Sequence, residues 1–438
     1  MKGKIWKQVA FCGIALLIAC SVSGCDKGKK QKINGTKTEA VNKEKKSKTD
    51  RTVYSVEKYL DKRSDNRNPV SECAKNYQVE VKDVQNKDYK NLDFSNCKFC
   101  EFPKINQVEL LKGCDHGITA KESWDIIKEW LKDIGKYDKV DMKKEVFVVC
   151  KELGLDEDGY YFTLYDRMDE LEKKKGVHIG PFISNNLCHI QLEVDGMYSM
   201  SNGKITEYLG EKGRATHDAM GAYAEDVVES GAVSGLEDKT YQMIDKKMSV
   251  KEAAQMVKKY FENGTPFPCA DGVTVEVPEV SVFKIKDVYG YDFMVRRVYN
   301  TVPFAYMDHG SYEMDEKKGL ISSDIKHAYV VDSSGVAAFA GYNEAERLEI
   351  LDAEDSMIGF GQAIELIHEK MAPYINMEVN SAGLVYLPMG FQQSVDKEER
   401  IIFPCWELSG TNQTKGEGIK VYADAITGEL YYYTWREE

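Results

Sequence analysis

The sequence predicts an α+β protein of repeated units, each with one helix packed on an antiparallel sheet. A signal peptide and a disordered linker precede the units. Three observations predict this. An amphipathic helical stripe recurs three times along the body. Each stripe is followed by several short runs rich in β-branched and aromatic residues. Each unit closes on a similar glycine-containing turn.

The elements follow in order. Lys2, Lys4 and Lys7 form a positive start, and Val9 to Cys20 is a 12-residue apolar stretch. A spanning helix needs roughly 20 apolar residues, so this run reads as the core of a signal peptide (residues 1–24). Ser21-Val22-Ser23-Gly24-Cys25 follows, and Val-Ser-Gly-Cys resembles the lipobox of bacterial lipoproteins. That resemblance implies a diacylated Cys25 as the first mature residue, with two acyl chains sufficient for stable anchoring. Ordinary secretion with an incidental thiol is the alternative. Residues 26–52 are rich in Lys, Thr and Asn with almost no apolar residues. Such a stretch cannot bury a core, and as a coil it spans roughly 25–30 Å.

Residues 53–118 read as a β-rich cap, with strands over Tyr77–Val84, Leu92–Phe94 and Phe99–Phe102. The first α+β unit covers 119–245. Its helix runs from Thr119 to Ile134, with Thr119 and Glu122 as a capping box and Ile127, Trp130, Leu131 and Ile134 as the stripe. Strands are expected at Tyr160–Tyr165, Cys188–Val194 and Lys204–Leu209. The second unit covers 246–350. Its helix runs from Ser249 to Phe261, capped by Ser249 and Glu252. Strands follow at Glu279–Ile285, Phe293–Tyr299 and Ala328–Val331. The third unit covers 351–438. Its helix runs from about Ser356 to Met371 with Phe360, Ile364, Ile367 and Met371 as the stripe. Strands follow at Gly383–Leu387, Ile401–Leu408, Lys420–Ala423 and Glu429–Thr434. The closing turns are Ser201-Asn202-Gly203, Asp332 to Gly335, and Asp424 to Gly428. Gly supplies a positive φ and Asp or Ser caps the turn.

The last unit ends Val421-Tyr422-Ala423-Asp424-Ala425-Ile426-Thr427-Gly428-Glu429-Leu430. It resembles the close of PepSY-type domains. The preceding Leu384-Val385-Tyr386-Leu387-Pro388 and Pro404-Cys405-Trp406-Glu407-Leu408 resemble paired strands of the YycH/YycI-type regulatory proteins of Gram-positive bacteria. The resemblance implies a membrane-tethered, extracytoplasmic regulator of related α+β units. It is good over 356–435 and weaker over 249–343. The chain departs from that pattern by pairing a lipid anchor with the units in place of a transmembrane helix.

Charge and cysteine bound the chemistry. Residues 1–25 carry +3 and residues 26–52 carry +6, so the remainder carries −22 of the overall −13. Such a body argues against nucleic acid as a partner. Removing the leader and lipidating Cys25 leaves Cys73, Cys97, Cys100, Cys114, Cys150, Cys188, Cys269 and Cys405. An even set in an exported protein suggests disulfides or buried thiols, with Cys150–Cys188 favoured among long-range pairs. Cys97, Cys100, Cys114 and His116 are the candidate zinc or thiol-redox cluster. Against it, Cys97 and Cys100 straddle a strand, so they face opposite ways. Asp156-Glu157-Asp158-Gly159 reads as a solvated turn rather than a calcium loop. No HExxH, GxSxG, P-loop or complete GxGxxG occurs, and Gly359-Phe360-Gly361 reads as a cap. Tyr431, Tyr432, Tyr433 and Trp435 are candidate interface aromatics, with sheet packing as the bland reading.

The expected function is therefore binding rather than catalysis. The expected protein is a lipid-anchored cell-surface module without cofactor, held to the bilayer through acylated Cys25. Its partner would be an envelope protein, a peptide or a wall component. The alternatives are an envelope hydrolase with a dispersed site, and a metal- or redox-active lipoprotein using the Cys97–His116 cluster.

Overall fold

The computed structural model describes residues 56–114, 120–142, 146–150, 161–163, 179–185, 187–192, 197–209, 227–263, 269–305, 320–321, 325–342, 347–393 and 398–435. The leader, Cys25, the Lys-rich stretch, His116 and Asp156–Gly159 lie outside these residues. Seven α-helices occur among the described residues: α1 (Val56–Leu60), α2 (Val70–Asn86), α3 (Ala120–Asp133), α4 (Lys204–Leu209), α5 (Val233–Leu236), α6 (Val250–Asn263) and α7 (Phe360–Met371). None of them is long and apolar enough to cross a membrane.

The three expected helices are α3, α6 and α7, and their apolar stripes face cores. Ile127, Trp130 and Leu131 of α3 and Ala253, Val257 and Phe261 of α6 share one core. Phe360, Ile364, Ile367 and Met371 of α7 lie in a second. The Ser249 hydroxyl caps α6 by accepting from the Glu252 N–H at 3.1 Å. Helix α7 starts at Phe360, the first residue of its stripe, rather than near Ser356, because Ser356–Met357 pairs as a short strand with Asn68–Pro69. Its first turn is held by the Gln362 side chain, which accepts from the Gly359 N–H at 3.1 Å.

Two large sheets carry the α+β architecture. The first has eleven strands among the described residues. It runs from Val227–Ala232 through the long hairpin Val273–Ile285/Val288–Tyr299, then Ile325–Val330, Ala338–Tyr342, Met197–Ser201, His189–Leu192, Ile179–Ser184 and Val146–Cys150, to Tyr161–Thr163. Strands from the first and second sequence units therefore share one sheet, joined where Ala338–Tyr342 pairs with Met197–Ser201. Helices α3 and α6 meet over it: Trp130, Tyr260 and Phe261 each lie 5.6–5.8 Å from the Phe339 ring.

The second sheet has nine strands among the described residues. Its spine is the hairpin Met377–Gln393/Glu398–Asn412. One half of Glu398–Asn412 pairs with Glu417–Asp424, which pairs with Leu430–Trp435. Its other half pairs with Val108–Cys114, which pairs with Arg347–Glu354. The far edge of Met377–Gln393 is met in turn by Leu92–Asp93, Lys98–Phe99, Phe304 and Leu320–Ile321. Residues 56–114 thus share a sheet and core with the C-terminal unit. Helices α2 and α7 pack together on one face. There Trp406 stacks on Tyr77 at 5.8 Å, meets Phe360 edge-on at 5.2 Å, and donates from Nε1 to the Ile358 carbonyl at 2.8 Å.

The two sheets are joined through a buried carboxylate. Tyr299 of the first sheet donates to Glu109 of the second at 2.6 Å, and the Tyr386 hydroxyl accepts from the Glu109 N–H at 3.3 Å.

Three sequence expectations are corrected. Tyr77–Val84 is not a strand but part of α2, so the segment 53–118 is not simply β-rich. Its Tyr77, Val79, Val81 alternation fits period two, yet the buried set is Val70, Cys73, Tyr77, Val81 and Val84, and Val79 is 60% exposed. That is a helical stripe. Lys204–Leu209 is also helical, because Asn202 accepts from the Lys204 N–H at 3.0 Å and caps a turn rather than closing a hairpin. Finally, Cys150 and Cys188 cannot pair. Cys150 aligns with Ile179, while Cys188 precedes the His189–Ser184 pair. They sit at opposite ends of a strand, about 17 Å apart along it, beyond the roughly 7 Å Cα limit of a disulfide.

Candidate functional site

The thiol cluster does not assemble. Cys97 and Cys100 flank the strand Lys98–Phe99, which runs parallel to Ser381–Ala382. Cys114 aligns with Glu399, which aligns with Gln392. The ten residues from Ala382 to Gln392 put Cys114 about 30 Å from Cys97 and Cys100 along the sheet. A Cys₃His metal shell is therefore out of reach, and among the described residues no three His, Cys, Asp or Glu groups gather to hold a metal. Burial also pushes the Cys97 thiol up to about 12. Cys100, although exposed at the surface, is also shifted upward by the protein packed around its sulfur, against the pull of Arg296. Both are protonated at neutral pH, and the thiolate is the reactive form. Alkylation of Cys97 at pH 8.5 should be at least about 100-fold slower than of free cysteine, read by mass spectrometry. A comparable rate would contradict this account.

Cys100 sits where a Gly383 side chain would project, its Sγ 3.0 Å from an ideal Cβ. Gly383 aligns with Glu407, whose residue is 8% exposed and whose Oε2 is buried without a hydrogen-bond partner among the described residues. Nothing in the sequence singled out Glu407, since acidic residues are numerous.

Two of the described histidines make cross-strand contacts, and His368 reaches from helix α7 to a loop. His189 meets the Ser199 hydroxyl at 3.2 Å, His327 meets Asp292 at 3.1 Å, and His368 bonds Asn91. Opposite His327 stand Ala340 on one neighbouring strand and Met294 on the other, and Asp292 also holds the Tyr329 hydroxyl. The Gly359-Phe360-Gly361 run binds no free anion either. The Glu80 carboxylate already accepts from the Gly361 N–H at 2.9 Å.

The C-terminal turn motif holds the best-built polar group. Asp424 is fully buried. Its carboxylate accepts from the Ile426 and Thr427 N–H groups at 2.8 and 3.1 Å, and from the Tyr59 hydroxyl at 2.8 Å. Burial raises its pKa to about 6, although those hydrogen bonds pull the other way. Gly428 takes φ +73°, and its N–H returns to the Asp424 carbonyl at 2.9 Å. The sequence found this turn but not its occupant, α1, which brings Tyr59 from 365 residues away. The related turn at Asp332 is simpler. Asp332 accepts from the Ser334 N–H at 2.8 Å, and Gly335 takes φ +129°.

Beyond Asp424 lies the edge strand Leu430–Trp435. The structure separates its four aromatic residues. Tyr431 and Tyr433 are buried, and Trp435 is half-buried against Gly418, where an added Cβ would meet its ring. Only Tyr432 points outward, at 46% exposure. The Asp424 N–H donates to the Glu429 carbonyl. Antiparallel ladders alternate, so Tyr422/Tyr431, Lys420/Tyr433 and Gly418/Trp435 are the hydrogen-bonded pairs. The N–H and C=O groups of Leu430, Tyr432 and Thr434 therefore point away from the sheet. No strand among the described residues takes them. The result is a short template for an added strand, with one exposed aromatic at its centre.

Comparison with known proteins adds a distant likeness. No family model matches the chain, and no curated protein does. Among solved structures, an uncharacterized protein from Eubacterium rectale ATCC 33656 is similar at 13% identity with a TM-score of 0.47. The match covers 81% of this chain and 98% of that chain.

Proposed function

We propose that this chain is an extracytoplasmic lipoprotein, anchored through acylated Cys25, that binds an envelope protein or peptide and does not itself catalyse a reaction. Its three helix-and-strand segments are read as PepSY/YycI-like units. The observation that carries the binding reading is the edge Leu430–Trp435, where no strand among the described residues takes the outward backbone groups of three residues around an exposed tyrosine. Backbone pairing supplies affinity in this mode, and Tyr432 supplies a side-chain anchor. The body's charge of −22 favours a basic or neutral partner over anionic lipid or wall polymer.

Crosslinking on intact cells, followed by partner identification, tests the proposal. Thr434→Pro removes an outward N–H without touching the ladder, and Tyr432→Asp places a charge on the edge. Each should lower partner recovery at least fivefold while shifting the melting temperature by less than about 2 °C, as surface substitutions do. Turnover of a wall substrate with no envelope partner recovered would overturn the proposal in favour of a hydrolase.

A further inference from the structure

We infer that residues 56–67 form a releasable strap that holds the head of the edge strand Leu430–Trp435 in place, so that strap opening weakens binding at that edge. The link to binding rests on the reading above and adds how that site is controlled.

The strap closes a fork in the second sheet. One side of Glu398–Asn412 pairs with two different strands, Val108–Cys114 through Glu399–Ile402 and Glu417–Asp424 through Cys405–Asn412. Arg347–Glu354 continues the first branch outward, and Leu430–Trp435 continues the second. Residues 56–67 reach both branches. Toward the edge strand, Tyr59 donates to the Asp424 carboxyl at 2.8 Å, the Ser64 N–H donates to the Ile426 carbonyl at 3.0 Å, and Lys62 pairs with Glu429 at 2.7 Å. Glu429 is the residue before Leu430. Toward the other branch, Arg63 pairs with Asp352 and Arg67 with Glu354, both at 2.7 Å.

This hold is shallow. Of residues 56–67, Tyr59 alone is buried, its ring 4.9 Å from Phe403, while Val56 and Leu60 are half-buried. The ion pair at the edge strand is open to solvent, with Lys62 58% exposed. The next helix, α2, is seated far more deeply through Val70, Cys73, Tyr77, Val81 and Val84. A segment with one buried anchor and exposed ion pairs opens locally, well below the cost of unfolding the core. Release can therefore stop at α2.

Opening uncovers Asp424. The groups facing that carboxyl are the Tyr59 hydroxyl from α1, the Cys405 thiol from the neighbouring strand, and Ile426 and Thr427 of its own turn, with the Lys62–Glu429 pair at the end of the turn. Burial holds the carboxyl near 6, and water reaching it returns it toward 3.8. Opening then sheds a proton, and full recovery makes it about tenfold more frequent at pH 7.5 than at pH 5. The freed turn no longer fixes the start of the edge strand, and a looser edge pays more ordering entropy when a partner strand adds.

The test is hydrogen-exchange mass spectrometry on the full chain, with protection corrected for intrinsic rates. Peptides covering 56–67 should be at least about 30-fold less protected than those covering α7. Their protection should fall about tenfold from pH 5 to pH 7.5, and about threefold from 0.05 to 0.5 M NaCl. Asp424→Asn should abolish the pH response and keep the salt response. Lys62→Glu with Arg63→Glu sets like charges against Glu429 and Asp352. It should lower protection of 56–67 at least about fivefold, leave α7 unchanged, and lower partner recovery on intact cells at least about threefold. Exchange of 56–67 in step with α7 would overturn the strap, as would a pH response surviving Asp424→Asn. Local opening with undiminished partner recovery would overturn the control of binding and leave edge binding standing. Absence of any partner for the wild-type protein would overturn edge binding and its control together, while the exchange data still decide the strap.

Discussion

Asp424→Ala should destabilise the protein by about 3–5 kcal/mol at pH 7, the range for removing one partner from a buried charged network. The substitution strands the Tyr59 hydroxyl and the Ile426 and Thr427 N–H groups in a dry site, and it loosens α1 from the C-terminal turn. Asp424→Asn keeps a carbonyl acceptor and should cost far less. The same carboxyl makes stability depend on pH. Its folded pKa is raised to about 6 from an ordinary 3.8, so the folded protein holds the proton more tightly than the unfolded chain. The groups facing it are the Tyr59 hydroxyl from α1, the Cys405 thiol from the neighbouring strand, and the Ile426 and Thr427 groups of its own turn. Protonation therefore adds on the order of 3 kcal/mol of stability, fully present below about pH 4 and lost as pH rises through about 6, while the hydrogen bonds to the carboxylate remain at pH 7. Urea unfolding of the wild type and Asp424→Asn between pH 4 and 7.5 measures this. Parallel pH dependences in the two proteins would show that Asp424 is not the titrating group.

Trp406→Ala should cost a similar amount, about 3–5 kcal/mol. Trp406 is the ring on which α2 and α7 meet. It touches Tyr77 and Phe360, lies 6.1 Å from Phe102, and its N–H fills the Ile358 carbonyl. Truncation opens a cavity beneath both helices and strands that acceptor. Trp406→Phe keeps most of the ring area and should cost less than half as much. The urea midpoint should fall with an unchanged m-value. A loss below about 1 kcal/mol for Trp406→Ala would mean that the two helices do not depend on this face.

What the sequence showed and hid follows from the range of each interaction. The stripes of α3, α6 and α7 were readable because helical periodicity is local. So was the Asp424–Gly428 turn, whose hydrogen bonds close within four residues. Tyr77–Val84 and Lys204–Leu209 misled because short stretches satisfy both periods. Tertiary burial of Tyr77 and Val81, and the Asn202 cap, decided them. The clasp of Tyr59 on Asp424 and the Glu109–Tyr299 joint pair residues 365 and 190 positions apart, and one sequence carries no sign of either. The aromatic run 431–435 was visible as a candidate. Only the register reveals that Tyr432 alone faces out.

Amide hydrogen exchange of the edge strand, resolved residue by residue, tests the account most directly. In the free protein the N–H groups of Leu430, Tyr432 and Thr434 should exchange fast, while those of Tyr431, Tyr433 and Trp435 are protected by the ladder. With the crosslinked partner segment bound, the fast three should slow by at least about tenfold and the others should change little. Slow exchange of all six in the free protein, or no new protection of Leu430, Tyr432 and Thr434 in the complex, would contradict recognition by strand addition.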